Sequence, residues 1–174
     1  MSTQCIHEIQ EQRIKDYNAD ALLGIDGVIL HDAVVEARCT LCNALDSVLI
    51  PNVQGLIAAV AVSRTMIRFK LRGKEIRFLR KAVEVSAEEL SNTVDVRADG
   101  ISRWENDKEV INSRSEKLLR LFVGKKLAHL TAIKFDADAI FSMTFQPWRS
   151  LERPLEMHFV LNRRQADAQW KAAA

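Results

Sequence analysis

Hydrophobic residues recur along this chain with two different spacings, and the change between them divides it into segments. Between Gly24 and Val53 they come in short β-branched runs, Val28-Ile29-Leu30, Val34-Val35 and Val48-Leu49-Ile50, separated by Asp, Asn and Gly. That pattern predicts two or three short strands in a small sheet. Pro51 and Asn52 close it, and Gln54 to Arg68 spells a helix rich in small apolar residues. Gly73 marks a break. Beyond it Ile76, Leu79 and Val83 fall at i, i+3 and i+7, one face of a helix from Lys74 to Glu84. Four or five helices follow to about Leu130, ending in the amphipathic SRSEKLLRLFVGKKL.

The two ends read differently. Residues 1–20 are polar, a leader that is disordered or forms a short helix through Ile6, Ile9, Ile14 and Tyr17. In the last third, AIFSMTFQPW and PLEMHFVLNRR read as strands split by Pro147 and Pro154, and QADAQWKAAA as a frayed or short helical tail. The expected class is α+β. An all-α unit over residues 70–126 is flanked by a small sheet-plus-helix region (21–69) and a strand-containing region (127–174).

Composition narrows the function classes. The 174 residues hold enough apolar content to bury a core without covalent staples. No run of about 18 apolar residues exists to span a membrane. The first residues lack the apolar stretch of a secretory signal, and three cysteines do not suggest a disulfide framework, so a cytoplasmic protein is expected.

The net charge of +2 hides an asymmetry. Residues 1–63 carry 3 Lys+Arg against 8 Asp+Glu, residues 64–134 carry 17 against 10, and residues 135–174 balance at 5 each. The basic run opens with Arg64, Arg68, Lys70, Arg72, Lys74, Arg77, Arg80 and Lys81. Such a run is either a solvated helical face or a phosphate-neutralising stripe.

One segment, LRKAVEVSAEELSNTVDVRADGISRWENDK (residues 79–108), carries more specific information. Ser86 is a good N-cap, and Glu89 three residues later completes a capping box for a second helix from Ala87 to Thr93. That helix buries Leu90 and offers the small Ser91 where another helix crosses. Val94-Asp95-Val96 makes a tight turn, with Asp95 tolerant of the left-handed conformation. A third helix begins at Arg97. Its Ile101 and Trp104 face inward, leaving Arg97, Ala98, Asp99, Gly100, Ser102 and Arg103 near the exposed N-terminal face.

LRKAVEVS, EEL, DV, GISRWE and Lys108 resemble, without insertion, the pattern of the Cro/C1-type (XRE) helix-turn-helix family. The resemblance implies a DNA reader whose third helix enters the major groove. It also implies a pair between Arg80 and Glu105 that locks the first helix to the third beside Trp104. Where the family has a phosphate-gripping Gln after the cap, this chain has Ala87. Where it has polar residues early in the third helix, this chain has Ala98, Asp99 and Gly100. Base readout is therefore expected mainly from Arg97, Ser102 and Arg103, with Ser86, Lys70, Arg72, Lys74 and Lys108 toward phosphates. More loosely, the upstream IPNVQGL and RGKEIRFLRK are similar to bacterial regulators and Mqs-type antitoxins. The expected partners are double-stranded DNA, a second copy of the chain and, in the antitoxin alternative, a toxin protein. A third alternative is a helix-turn-helix used only to bind protein. For a dimer, edge pairing of the strand around Leu155 to Leu161, with Trp148, is one candidate contact.

Other chemistry is thin. Mqs-type antitoxins carry two CxxC pairs on a structural zinc, and here only Cys39-x-x-Cys42 is present, with His31, Cys5 or His7 as further candidates. No cofactor is expected. His7, His31, His129 and His158 fall in separate segments with no nucleophile or phosphate-binding motif nearby, so no enzyme is expected.

Overall fold

Among the described residues the first element is a long edge strand. The computed structural model describes residues 8–148, 154–162 and 168–173, and in it β1 (Ile9–Asn18) pairs antiparallel with β2 (Val28–Cys39). The polar stretch expected to be a loose or helical leader is thus part of a sheet from Ile9 onward. Most of its side chains are exposed, which is why it shows no apolar alternation. β1 leads through a single helical turn, α1 (Asp20–Leu23), closed by Gly24 in the left-handed conformation (φ 69°).

β2 runs through the position where the sequence suggested a break. Asp32 adopts φ 50°, and the β1–β2 register shifts between Ile14 and Asp16. A bulge, rather than a turn, absorbs the polar His31-Asp32 pair and lets the strand continue. β3 (Leu45–Leu49) then returns along the Val35–Arg38 part of β2.

Helix α2 (Val53–Met66) starts at Asn52, whose side chain accepts from the Gly55 amide. Its small residues Ala58, Ala59 and Ala61 are fully buried, so the helix packs closely into the centre of the molecule. Four helices follow: α3 (Gly73–Ala82), α4 (Ala87–Thr93), α5 (Ala98–Glu105) and α6 (Ser113–Leu127). A short 3-10 turn (Ala128–Leu130) and α7 (Ala137–Ser142) complete the helical part.

The C-terminal third departs from expectation twice. AIFSMTFQPW begins as a helix because the Asp136 side chain caps it by accepting from the Ala139 amide. Only Gln146 enters a bridge, with Phe69. The tail expected to be helical instead forms β5 (Gln169–Ala172), antiparallel to β4 (Met157–Asn162). Trp170 fixes it: its ring is fully buried and its indole N–H donates to the Pro51 and Asn52 carbonyls.

β4 lies parallel to β2, Val28 opposite Met157, so strands from both ends of the chain share one mixed sheet in the order β1-β2-β4-β5. This disposes of edge pairing through Leu155 to Leu161. β4 has β2 on one side and β5 on the other, and presents no free edge. The architecture among the described residues is α+β: five strands and seven α-helices around a continuous core. Leu30, Val28 and Phe159 of the sheet, Leu56 and Val60 of α2, and Leu79, Leu90 and Ile101 further on all belong to it. No described helix is long and apolar enough to cross a membrane.

Two buried arginines hold the joint between α2 and α3. Arg64 pairs with Glu75 and donates to the carbonyls of Ile67, Phe69 and Lys70. Arg120 pairs with Glu116 and reaches the carbonyls of Thr65 and Phe69. The two guanidiniums therefore supply donors to carbonyls of the bent 67–70 segment, while Glu116 and Glu75 balance their charge and accept from the Leu71 and Arg72 amides. Burial pulls Arg120 down to about 10, against the pull of Glu116, so it remains a cation at neutral pH.

Candidate nucleic-acid interface

Three consecutive helices with short connections make the site. Ser86 caps α4 by accepting from the Glu89 amide, 3.1 Å, while the Glu89 carboxylate accepts from the Ser86 amide, 2.7 Å. The Ser86 amide donating to it, and secondarily the Ser86 hydroxyl, hold the Glu89 carboxyl below the usual glutamate value. After α4 the chain reverses at Asp95, φ 55°, and the Val96 amide closes the turn on the Ser91 carbonyl, 3.0 Å. α5 follows at once. Leu90 and Ser91 of α4 face Ile101 and Trp104 of α5, all buried.

α3 crosses the other end of α5. An added Cβ at Gly73 would lie 2.7 Å from both the Trp104 and Glu105 carbonyl oxygens, so glycine is what allows this approach. Arg80 donates to both Glu105 oxygens, 2.6 and 3.1 Å, and that contact raises Arg80 above its ordinary pKa against the opposing effect of desolvation. Arg77, which the sequence placed only in the basic run, reaches the same carboxylate at 3.4 Å.

The outward face of α5 is polar. Arg97 is 90% exposed, and Ala98, Asp99, Ser102 and Arg103 are exposed beside it. Gly100 faces inward, with Val96 Cγ2 at 4.0 Å the nearest atom to an added Cβ. Asp99 lies between the two arginines, 3.3 Å from Arg97 Nε and 3.4 Å from Arg103 Nη2. Glu109 takes Arg103 Nε at 3.1 Å. Ser86 and Lys108 are exposed and Ala87 is half-buried.

The upstream basic residues are placed elsewhere. Lys70 donates to the Ile111 carbonyl and lies 3.7 Å from Glu116, Arg72 lies over the Trp148 ring, and Lys74 pairs with Asp26. All three cluster at the N-terminal end of α3, beside the C-terminal end of α5. An eight-residue helix is about 12 Å long, which separates them from Ala98. The structure therefore brings together Arg97, Asp99, Ser102 and Arg103 on α5, and sets Lys70, Arg72 and Lys74 apart from Arg97 and Ala98, at the end of the helix where Arg103 meets Glu109. The charge of the site follows from this: residues 84–109 hold 8 Asp+Glu against 3 Lys+Arg.

The cysteines form a knuckle at the β2–β3 turn, where Cys39 Sγ accepts from the amides of Leu41 and Cys42 at 3.4 and 3.5 Å. His31 is not a co-ligand. It lies eight residues back along the same strand, roughly 26 Å at strand rise. Cys5 and His7 lie outside the described residues, and among those described no three metal-ligating side chains converge. His31 instead hydrogen-bonds Asp16 at 2.6 Å and His158 at 2.9 Å on the open face of the sheet.

No family model, curated protein or solved structure matches this chain.

Proposed function

We propose that α3, α4 and α5 are a helix-turn-helix of the Cro/C1 type, and that the protein is a sequence-specific DNA-binding regulator acting as a homodimer. The observation that carries the reading is the Ser86-capped α4, the left-handed turn at Asp95 and the immediate start of α5. Together they leave Arg97, Ser102 and Arg103 exposed along the outward face of a helix anchored by Trp104 and Glu105. A helix so presented fits the major groove, where each arginine can fork onto a guanine. A two-fold dimer then requires half-sites about one helical turn, ~34 Å, apart or a multiple of it.

The local charge shapes how such a reader works. With acids outnumbering bases around α5, phosphate attraction is weak and base contacts carry a larger share of the affinity. The deciding experiment is a fluorescence-anisotropy titration of labelled duplex from the region upstream of the protein's own gene, beside a scrambled duplex, at low and moderate salt. Preference for the upstream duplex that Arg103→Ala removes is the expected result.

The same acidity favours one other reading, in which this helical unit binds a basic partner protein rather than DNA. Absence of affinity for either duplex at low salt decides for that reading.

A further inference from the structure

A groove of about 420 Å³ opens where the N-terminal end of α3, the C-terminal end of α5 and the segment before residue 149 meet. Its volume lies within the range of small-molecule sites, about 300–1,000 Å³. Ile76, Trp104, Ile111, Pro147 and Trp148 line it, with Val110 exposed beside them. The lining is mainly apolar, and the indole N–H groups of Trp104 and Trp148 are buried without an acceptor among the described residues.

Four charged residues also line the groove, and three are already engaged. Lys70 is held by the Ile111 carbonyl and Glu116, Asp107 accepts from the Gly73 amide, and Glu109 pairs with Arg103. Arg72 differs. Its guanidinium carbon lies over the Trp148 ring, 3.7 Å from the centroid, and the side chain makes no ion pair among the described residues. The ring occupies one side of the guanidinium and leaves N–H groups available for a planar anion.

We propose that this groove binds a small molecule with an apolar body and one carboxylate. The body lies against Trp104 and Trp148 and the carboxylate meets Arg72. Phosphate esters suit it less well, because among the described residues that line the groove Arg72 is the one cation without an ion pair, and Asp107 and Glu109 line the same groove. The site goes beyond the DNA-binding reading. Since Trp104 belongs to α5, occupancy would couple to the position of that helix, and only this coupling rests on the reading above.

Isothermal titration of the full chain without DNA tests the site separately from DNA binding. Phenylacetate and octanoate are each compared with their neutral amides. The expected result is binding of at least one acid at millimolar concentration or tighter, with about tenfold or greater preference over its amide. Arg72→Gln should bring acid and amide to equal affinity, and Val110→Trp, which fills the groove, should block both. Failure of both acids to bind wild-type protein, or equal affinity for acid and amide there, overturns the proposal without need of a variant. Acid binding that survives Val110→Trp unchanged also overturns it.

Discussion

Arg80 and Glu105, 25 residues apart, are joined by two hydrogen bonds of 2.6 and 3.1 Å. The pair is largely shielded from solvent, with the side chains 17% and 8% exposed, so neither partner tolerates loss of the other.

Glu105→Ala should therefore destabilise the fold by about 2–4 kcal/mol, because it strands Arg80 and removes one of the acceptors of Arg77. Urea unfolding measures this as a lower midpoint with an unchanged slope. A loss below about 0.5 kcal/mol would place the pair with ordinary surface ion pairs instead.

Two glycines in the same unit should respond oppositely to alanine. At Gly73 the new methyl meets two carbonyl oxygens at 2.7 Å, and the expected cost is about 1–3 kcal/mol. At Gly100 it meets nothing nearer than 4.0 Å, and the gain in helix propensity should stabilise by roughly 0.5–1 kcal/mol. Thermal melts of the two variants distinguish them.

Asp99→Asn bears on electrostatics at the proposed interface. It frees Arg97 and Arg103 from the carboxylate between them, so binding to any duplex should tighten and its dependence on salt should steepen. By contrast, Lys70→Ala should leave the salt slope unchanged, since Lys70 is turned toward Ile111 and Glu116. An unchanged slope in Asp99→Asn would show that these arginines do not face phosphate or base.

The α4 cap should weaken in acid. Glu89 has a folded pKa below its unfolded value because the Ser86 amide donates to the ionised carboxylate. Its contribution is therefore complete above the ordinary glutamate value and is lost as pH falls through the lower folded one. Hydrogen exchange at the Ser86 amide should show protection that declines across that interval. Glu89→Gln should shift the protection and remove its pH dependence, and an identical profile in both proteins would sink the assignment.

The helical centre was the most legible part of the sequence. Ile76, Leu79 and Val83 announced α3, Ser86 and Glu89 the start of α4, and Asp95 the reversal, all through local rules that neighbouring residues satisfy among themselves. The sheet was harder to read because its evidence is not local. β1 is mostly exposed and packs only Ile14 and Tyr17 against the core, so pairing with β2 is what marks it as a strand. β5 depends on Trp170 finding a cavity 119 residues away at Pro51. α7 buries only Ile140 and so has no apolar stripe to reveal it. The basic run was visible as composition, but the directions in which Lys70, Arg72 and Lys74 point were set by Ile111, Trp148 and Asp26, which no spacing links to them.

The parallel pairing of β2 with β4 has a consequence for how the chain is born. During synthesis everything through Leu127 leaves the ribosome before Met157 does. Until then the Val28–His31 stretch of β2 is covered by β1 on one side and by nothing on the other. The part that starts first finishes last, and a chain arrested before residue 157 would carry a complete helical unit beside an open sheet edge. Premature termination or slow release should therefore yield self-associating products through that unfilled flank, whereas substitutions within α4 or α5 should not.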